Sequence, residues 1–242
     1  SGAGGAIWSG GLGIFTPSNT SLTPQYTPTN AEIVLGSVSL TLTSTGNGTC
    51  LAVQDVVSYT FTPSPLVDAG ANVTVCGDET TIPLSGSVTV ATGGQWSTSG
   101  SGSFSPSNIQ LNTNYNASAL DISNGSTMIY LTSIGNGNCI AVMDSMEITF
   151  DAVPIANAGA DQSSCQNNVA IQLDGQVIGA SGGTWSGGTG IFNPSSSSLV
   201  ATYIPSPSEI ALGSLTLTLS TTGNGNCSVS TDQMNITINP SP

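Results

Sequence analysis

The side chains here that can do chemistry are thiols, carboxylates and hydroxyls, because the 242 residues include no Lys, no Arg and no His. A Ser or Cys nucleophile needs a neighbouring base to draw off its proton, and neither His nor Lys is present to serve. A phosphate-cradling G-K-[ST] loop is absent for the same reason. Paired carboxylates are the remaining acid–base option, yet no D-[ST]-G signature occurs among the 13 Asp and Glu. The acids instead recur at set places: Asp55, Asp144 and Asp232 at a strand start, and Glu32, Asp121 and Glu209 at a turn. An acid repeated in that way is expected to accept backbone N–H groups rather than to cleave a bond, so no enzymatic activity is expected.

The places that hold these groups belong to a tandem repeat. Trp8, Trp96 and Trp185, then Phe15, Phe104 and Phe192, then Tyr26, Tyr115 and Tyr203, stand 88 or 89 residues apart. The motif G-N-G-x-C keeps the same step at Gly46–Cys50, Gly135–Cys139 and Gly223–Cys227. The predicted modules are a partial one at 1–63 that lacks its first strands, and complete ones at 64–152 and 153–242. Pro242 aligns with Pro154 and Pro65, so a longer parent chain is expected at both ends.

The five Cys follow the modules. Cys76 of V-T-V-C matches Cys165, and the counterpart in the first copy would lie 13 places before residue 1. The favoured pairing is Cys76 with Cys139 and Cys165 with Cys227, leaving Cys50 without its mate. Closing loops of that size contributes roughly 3 to 4 kcal/mol each by the chain-entropy estimate. A rival pairing joins Cys50 to Cys76 and Cys139 to Cys165 across module boundaries, and connectivity stays open at this point. Zinc is disfavoured, because no C-x-x-C pair and no His exists. Either disulfide scheme implies an oxidising, extracytoplasmic compartment. An isopeptide crosslink needs Lys and is excluded.

A formal net charge of −13 without one cationic side chain excludes nucleic acid as a partner, since nothing can displace the counterions of a phosphate backbone. Side-chain salt bridges are equally ruled out, and stability must come from apolar burial, backbone ladders and covalent links. The hydrophobic fraction of 38% supplies a core for each module. No apolar run reaches the roughly 18 residues that would span a bilayer, so membrane insertion is not expected.

Within a module the pattern is all strand. Val73–Cys76 reads as a short strand and Thr81–Thr89 as a second, with Ile82, Leu84 and Val88 on one face. The glycine-rich run Gly93–Ser107 places Trp96 and Phe104 on two short strands around a turn. Ser126–Ile134 alternates, as does S-L-T-L-T-L-S in the third copy, with Leu215, Leu217 and Leu219 inward. After the Gly135-Asn136-Gly137 turn, Ala141–Phe150 forms the last strand. No segment of ten or more residues has helical periodicity. The fold class predicted is all-β: tandem Greek-key sandwiches of two antiparallel sheets in a linear array, joined by short proline-bearing linkers.

Several stretches together resemble a known family. They are A-N-A-G-A-D-Q-S-S-C at Ala156–Cys165, G-G-T-W-S-G-G-T-G-I-F-N-P-S at Gly182–Ser195, Y-I-P-S-P-S-E-I at Tyr203–Ile210 and G-N-G-N-C at Gly223–Cys227. They are similar to the PKD-like, immunoglobulin-like repeats of very large Bacteroidota surface proteins, among them gliding-motility adhesins exported by the type nine secretion system. The resemblance covers the whole chain. It implies immunoglobulin-like modules in a secreted rod or filament at a bacterial cell surface, partnered by neighbouring repeats of the same chain or fibre. It also marks D-S-M at Asp144 as an O-glycosylation motif, which makes Ser145 a candidate acceptor.

Three further expectations concern ligands. No cofactor is needed, but calcium is a candidate at Asp68, Asp151 and Asp161, acids near the junctions where a hard ion could stiffen the array. Trp8, Trp96 and Trp185 are read as core markers, the alternative being a sugar-stacking platform. Sequons at Asn47, Asn72, Asn116, Asn124 and Asn235 are expected by chance in so Asn- and Thr-rich a chain. The functional expectation is a rigid stalk segment of about 40 Å per repeat, from strands of some ten residues. Its alternatives are a glycan- or surface-binding adhesive module and a filament subunit completed by strand donation from a neighbouring chain.

Overall fold

The computed structural model describes residues 2–241, and Pro242, the last mark of the repeat register, lies outside them. Two compact units are present. One takes in the chain up to Leu66 together with Val88–Gly93 and Ser133–Val142; the other holds Val67–Ser87, Gly94–Thr132 and the chain from Met143 on. The Gly-Asn-Gly hairpin of the second copy therefore belongs to the first unit, so this division does not follow the steps at 63/64 and 152/153.

The first copy contains β1 (Gly5–Ser9), β2 (Ile14–Thr16), β3 (Gln25–Thr27), α1 (Asn30–Leu35), β4 (Ser37–Thr45) and β5 (Gln54–Thr60). The second contains β6 (Leu66–Asp68), β7 (Val73–Cys76), β8 (Thr81–Ser85), β9 (Ser87–Thr89), β10 (Gly93–Thr98), β11 (Ser103–Ser105), β12 (Asn112–Asn116), α2 (Ala119–Ser123), β13 (Ser126–Ile134) and β14 (Met143–Asp151). The third repeats that order as β15 (Ile155–Asn157), β16 (Gln162–Cys165), β17 (Ile171–Asp174), β18 (Gln176–Ile178), β19 (Gly182–Ser186), β20 (Ile191–Asn193), β21 (Val200–Ile204), α3 (Pro207–Leu212), β22 (Ser214–Thr222) and β23 (Thr231–Asn239).

Each complete copy is a sandwich. In the third, a four-stranded sheet ordered β16-β23-β22-β19 faces a three-stranded sheet ordered β17-β21-β20, and in the second the matching sheets are β10-β13-β14-β7 and β11-β12-β8. The period-two alternation explains the core between them. Ile129 and Leu131 of β13 and Leu217 and Leu219 of β22 are fully buried, each contributing about 1.5–3 kcal/mol by leaving water. Leu215 is only partly buried against the same cluster. Met146, Ile148 and Phe150 close the core from β14.

Two strand expectations are corrected. The sheets are not wholly antiparallel: β7 pairs with β14 in parallel, with Ile148 opposite Val73 and Asp151 opposite Cys76, and β16 pairs with β23 likewise. Parallel strands need a long connection, and these two have most of the repeat between them. The stretch Thr81–Thr89 is not one strand but breaks at Gly86, as the third copy breaks at Gly175 between β17 and β18, which join different sheets. A Cβ on Gly175 would lie 2.8 Å from the ring of Trp185, so the chain can cross the core there only as glycine.

The first copy is thinner. Its sheets among the described residues are β1-β4-β5 and β2-β3, without a counterpart of β7 or β8. Leu40 and Val38 are buried, but Tyr59 is 52% exposed where its counterpart Ile148 is 0%.

Candidate functional site: a carboxylate knot and a cysteine bridge

The acids Glu32, Asp121 and Glu209 sit at the third position of α1, α2 and α3, helices of six, five and six residues. Thr29, Ser118 and Ser206 cap them, and the signature [ST]-x-x-[DE] is a capping box in all three: the cap side chain takes the N–H of the acid while the acid takes the N–H of the cap. Each carboxylate is nonetheless buried, which a surface cap is not.

Burial follows from two further donors. Tyr115, on β12, donates its hydroxyl to Asp121 at 2.8 Å, and Tyr203, on β21, donates to Glu209 at 2.8 Å. The loop after the tryptophan strand folds over the same group, so that the N–H of Leu12, Ser101 and Thr189 donate to Glu32, Asp121 and Glu209 at 2.7, 2.9 and 2.8 Å. The glycine-rich loop is explained at Gly188, where φ is +71° and where any Cβ would overlap the Tyr203 hydroxyl and the Glu209 carboxylate.

Electrostatics follow from those donors. Burial by itself would raise the carboxyl pKa of Asp121, but the N–H groups of Ser101 and Ser118 and the Tyr115 hydroxyl outweigh it and hold it down at about 2. Glu32 is likewise held at about 2 against its burial, first by Tyr26 and then by the N–H groups of Thr29 and Leu12, and Glu209 is lowered in the same manner. The tyrosines move the other way: burial, together with the adjoining carboxylate, pushes Tyr203 up to about 12. A carboxylate locked in its ionised form has no proton to give at neutral pH. The knot fastens a helix, a loop and a strand together, and offers no general acid.

Spacing alone predicts backbone caps for these acids and register marks in the tyrosines, and the structure adds their partnership. A signal was present: Tyr and acid are six residues apart in every copy, at Tyr26 and Glu32, Tyr115 and Asp121, and Tyr203 and Glu209.

The thiols depart from both pairings expected. Cys76 is bonded to Cys227, with Cα atoms 4.7 Å apart and a sequence separation of 151, while Cys50, Cys139 and Cys165 are unbonded. The pairings Cys76 with Cys139 and Cys165 with Cys227 are thereby corrected, as are Cys50 with Cys76 and Cys139 with Cys165. The reason is strand direction. Cys76 ends β7 beside Asp151, the last residue of β14, whereas Cys139 lies before the first residue of that strand. A nine-residue strand separates them by roughly 30 Å, far beyond the reach of a disulfide. The hairpin of the third copy instead meets the end of β14. There the Asn226 N–H donates to Asp151 and its side-chain amide donates to the Thr74 carbonyl, each at 2.8 Å, and the Cys227 sulfur lies 3.8 and 3.6 Å from the carbonyl oxygens of Asp151 and Ala152. Closing a loop of 151 residues constrains the unfolded chain by about 5 kcal/mol in the loop-entropy account.

The calcium candidates each accept a backbone hydrogen bond. Asp68 accepts from Gly70 N–H, Asp161 from Asn235 N–H and Asp151 from Asn226 N–H, all at 2.8 Å. Asn157 and Asn72, one repeat away from Asp68 and Asp161, accept the same kind of bond at 2.9 and 2.8 Å. A neutral amide thus fills each place in the other copy. Among the described residues no cluster of three or more Asp, Glu, Cys or His is arranged to hold a metal. Asp144 and Asp232 accept from the N–H of Ala69 and Ala158 at 2.8 Å, pinning the opening segment of each complete copy, while Asp55 turns back on Val56.

Trp96 and Trp185 are 0% and 1% exposed, and their indole N–H groups donate to the carbonyls of Gln110 and Leu199. Neither ring can stack on a sugar. Trp8 is only partly covered, and its Nε1 is buried without an acceptor. Ser145 is exposed on β14 opposite Tyr130, on the outer face of the sheet.

No family model matches the chain, and no curated protein resembles it significantly. Solved structures do. The titin I-band fragment I67-I69 is similar with a TM-score of 0.51 at 12% identity, covering 98% of this chain and 88% of that one. Mouse cadherin-23 EC22-24 gives a TM-score of 0.44 at 14% identity, covering 98% of this chain and 86% of that one. The extracellular cadherin domains 3-6 of protocadherin gamma B2 give 0.42 at 12% identity; this chain is covered to 98% and spans 66% of the protocadherin fragment. At such identities the likeness is one of fold. With two facing sheets per complete copy and a parallel edge strand in each, the chain is a tandem array of immunoglobulin-like β-sandwich repeats.

Proposed function

We propose that this chain is a tension-carrying stalk segment of an extracellular surface protein or filament. The single observation behind the reading is the Cys76–Cys227 bond, which reaches from the opening strand of one repeat to the closing hairpin of the next. A pull applied outside the two cysteines passes through sulfur, and residues 77–226 are shielded from it. Unfolding inside that loop then lengthens nothing. The bond also belongs to an oxidising compartment, and the absence of any Lys, Arg or His fits a polymer that avoids nucleic acid and anionic surfaces. By its resemblance to Bacteroidota surface repeats, we place it at a bacterial cell surface. Among the described residues no helix is long and apolar enough to cross a membrane.

Single-molecule pulling between the two ends tests this. The oxidised chain should give no extension step from residues 77–226. After reduction, those residues should release up to roughly 500 Å, since a sequence separation of 151 extends at about 3.3–3.6 Å per residue. Full-length extension from the oxidised chain would overturn the reading.

A further inference from the structure

We infer that the third repeat carries a binding site for a neutral hexose of a polysaccharide, set in a polar recess at the margin between its two sheets. Asp161, Gln162, Gln172, Asp174 and Gln176 build the site, which adds a ligand to the stalk function.

The recess has a volume of about 360 Å³, within the range of small-molecule pockets, and the buried side chain of Met234 forms its floor. Both sheets contribute walls. Gln162 opens β16 in the four-stranded sheet, and its side-chain amide donates to the Gln172 carbonyl on β17 at 2.8 Å and lies 3.6 Å from the Met234 sulfur. Gln172 and Asp174 alternate with the buried Ile171 and Leu173, so both are exposed. Gln176 follows the crossing at Gly175, and Asp161, just before β16, uses one oxygen on the Asn235 N–H at 2.8 Å.

The second copy shows that the fold does not require this set. At the same five places it has Asn72, Val73, Pro83, Ser85 and Ser87, on strands of matching order and pairing. A sandwich of this kind therefore closes without the two carboxylates and the three glutamines. Exchanging an inward valine for Gln162 gives up apolar burial and orders a longer side chain. Folding alone favours the valine.

The balance of donors and acceptors selects the ligand class. The carboxylates of Asp161 and Asp174 only accept, whereas a glutamine amide both donates and accepts. The Gln172 amide oxygen takes the Thr202 hydroxyl at 3.2 Å, which leaves its N–H groups to donate outward. Gln162 has the opposite arrangement, its N–H being committed and its oxygen left to accept. A sugar hydroxyl uses both kinds of group at once, donating to a carboxylate while accepting from an amide. A cation needs acceptors alone and gives the amide N–H groups no part. An anionic sugar meets two carboxylates in a chain of net charge −13 with no Lys, Arg or His to hold it, so the ligand is neutral.

The test is an NMR titration of the isotopically labelled whole chain with the methyl glycosides of glucose, galactose and mannose, with glucuronate, and with methylammonium. At least one neutral glycoside should shift the side-chain amide signals of Gln172 and Gln176 saturably, while Val73, Ser85 and Ser87 of the second copy stay in place. Gln162→Val combined with Asp174→Ser, which gives the third copy the residues of the second, should weaken binding about tenfold or more, the worth of one or two hydrogen bonds. Gln176→Ser, at an exposed position, should weaken it about fivefold and serves if the double variant does not fold. Absence of a saturable shift with all three glycosides would overturn the site, as would equal shifts in both copies or unaltered affinity in the variants. Saturation by methylammonium or glucuronate as tight as by the glycosides would overturn the neutral ligand. None of these failures touches the stalk reading, which rests on Cys76 and Cys227.

Discussion

The Tyr203 hydroxyl and the Glu209 carboxylate are bonded at 2.8 Å with both groups shut away from solvent, and the acid has no cation anywhere in the chain to neutralise it. Its charge is carried by neutral donors alone. Removing one of them by Tyr203→Phe should therefore destabilise the third repeat by about 1–3 kcal/mol, the cost of a lost bond to a buried ionised group. Tyr26→Phe should cost less, since Tyr26 is only part-buried where Tyr203 is fully buried. Urea unfolding followed at a probe in each repeat measures both.

The knot of the second copy is built differently and should respond differently. Its acid is Asp121, one methylene shorter than Glu32 or Glu209, and the loop above it is one residue longer, Trp96 to Phe104 against Trp185 to Phe192. The extra residue is Thr98, whose hydroxyl lies 3.2 Å from the Tyr115 oxygen. Asp121→Glu alone should overpack the site at a cost of about 1–3 kcal/mol. Deleting Thr98 alone should also destabilise. Combining the two should restore part of the loss, a coupling that a double-mutant cycle reads out.

Stability should depend on pH at the two ends of the scale and little between. Folding lowers Glu32 and Asp121 to about 2, so their contribution is complete above the ordinary carboxylate range and is lost as pH falls from about 5 towards 2. Folding raises Tyr203 to about 12, so its contribution is complete below the ordinary tyrosine value of about 10 and is lost as pH rises through 12. No His exists to titrate in between. Melting curves at 0.15 M salt, where repulsion among the surface acids is screened within about 8 Å, should show a plateau from pH 6 to 9 flanked by two declines. Asp121→Asn should flatten the acid limb.

The junction acids should be replaceable by their amides. Because Asn157 and Asn72 already do elsewhere what Asp68 and Asp161 do, Asp68→Asn and Asp161→Asn should each change stability by less than about 0.5 kcal/mol. Melting in excess calcium and in chelator should coincide for the unaltered chain. A calcium-dependent rise that disappears in Asp161→Asn would reverse this.

What was legible in the residues was whatever depends on local order. Period-two alternation placed Leu217 and Leu219 inside, and the glycine-rich run marked a loop after each tryptophan. The cysteine connectivity was not legible. The spacing of Cys76, Cys139, Cys165 and Cys227 is compatible with bonds inside a repeat, between neighbours in sequence, or across a whole repeat. Only the parallel course of β7 beside β14, a non-local choice, decides that Cys76 meets the later hairpin. The break at Gly86 was hidden because Ile82, Leu84 and Val88 keep a single alternation across it, although Val88 lies on a separate strand, β9.

The bridge from Cys76 to Cys227 has a consequence for durability outside the cell. Trypsin-like proteases, which cut after Lys or Arg, find no cleavable bond in the chain. Another protease that nicks the backbone once anywhere in 77–226 produces two fragments still tied together by sulfur. A cut in that span therefore damages a repeat without severing the tether.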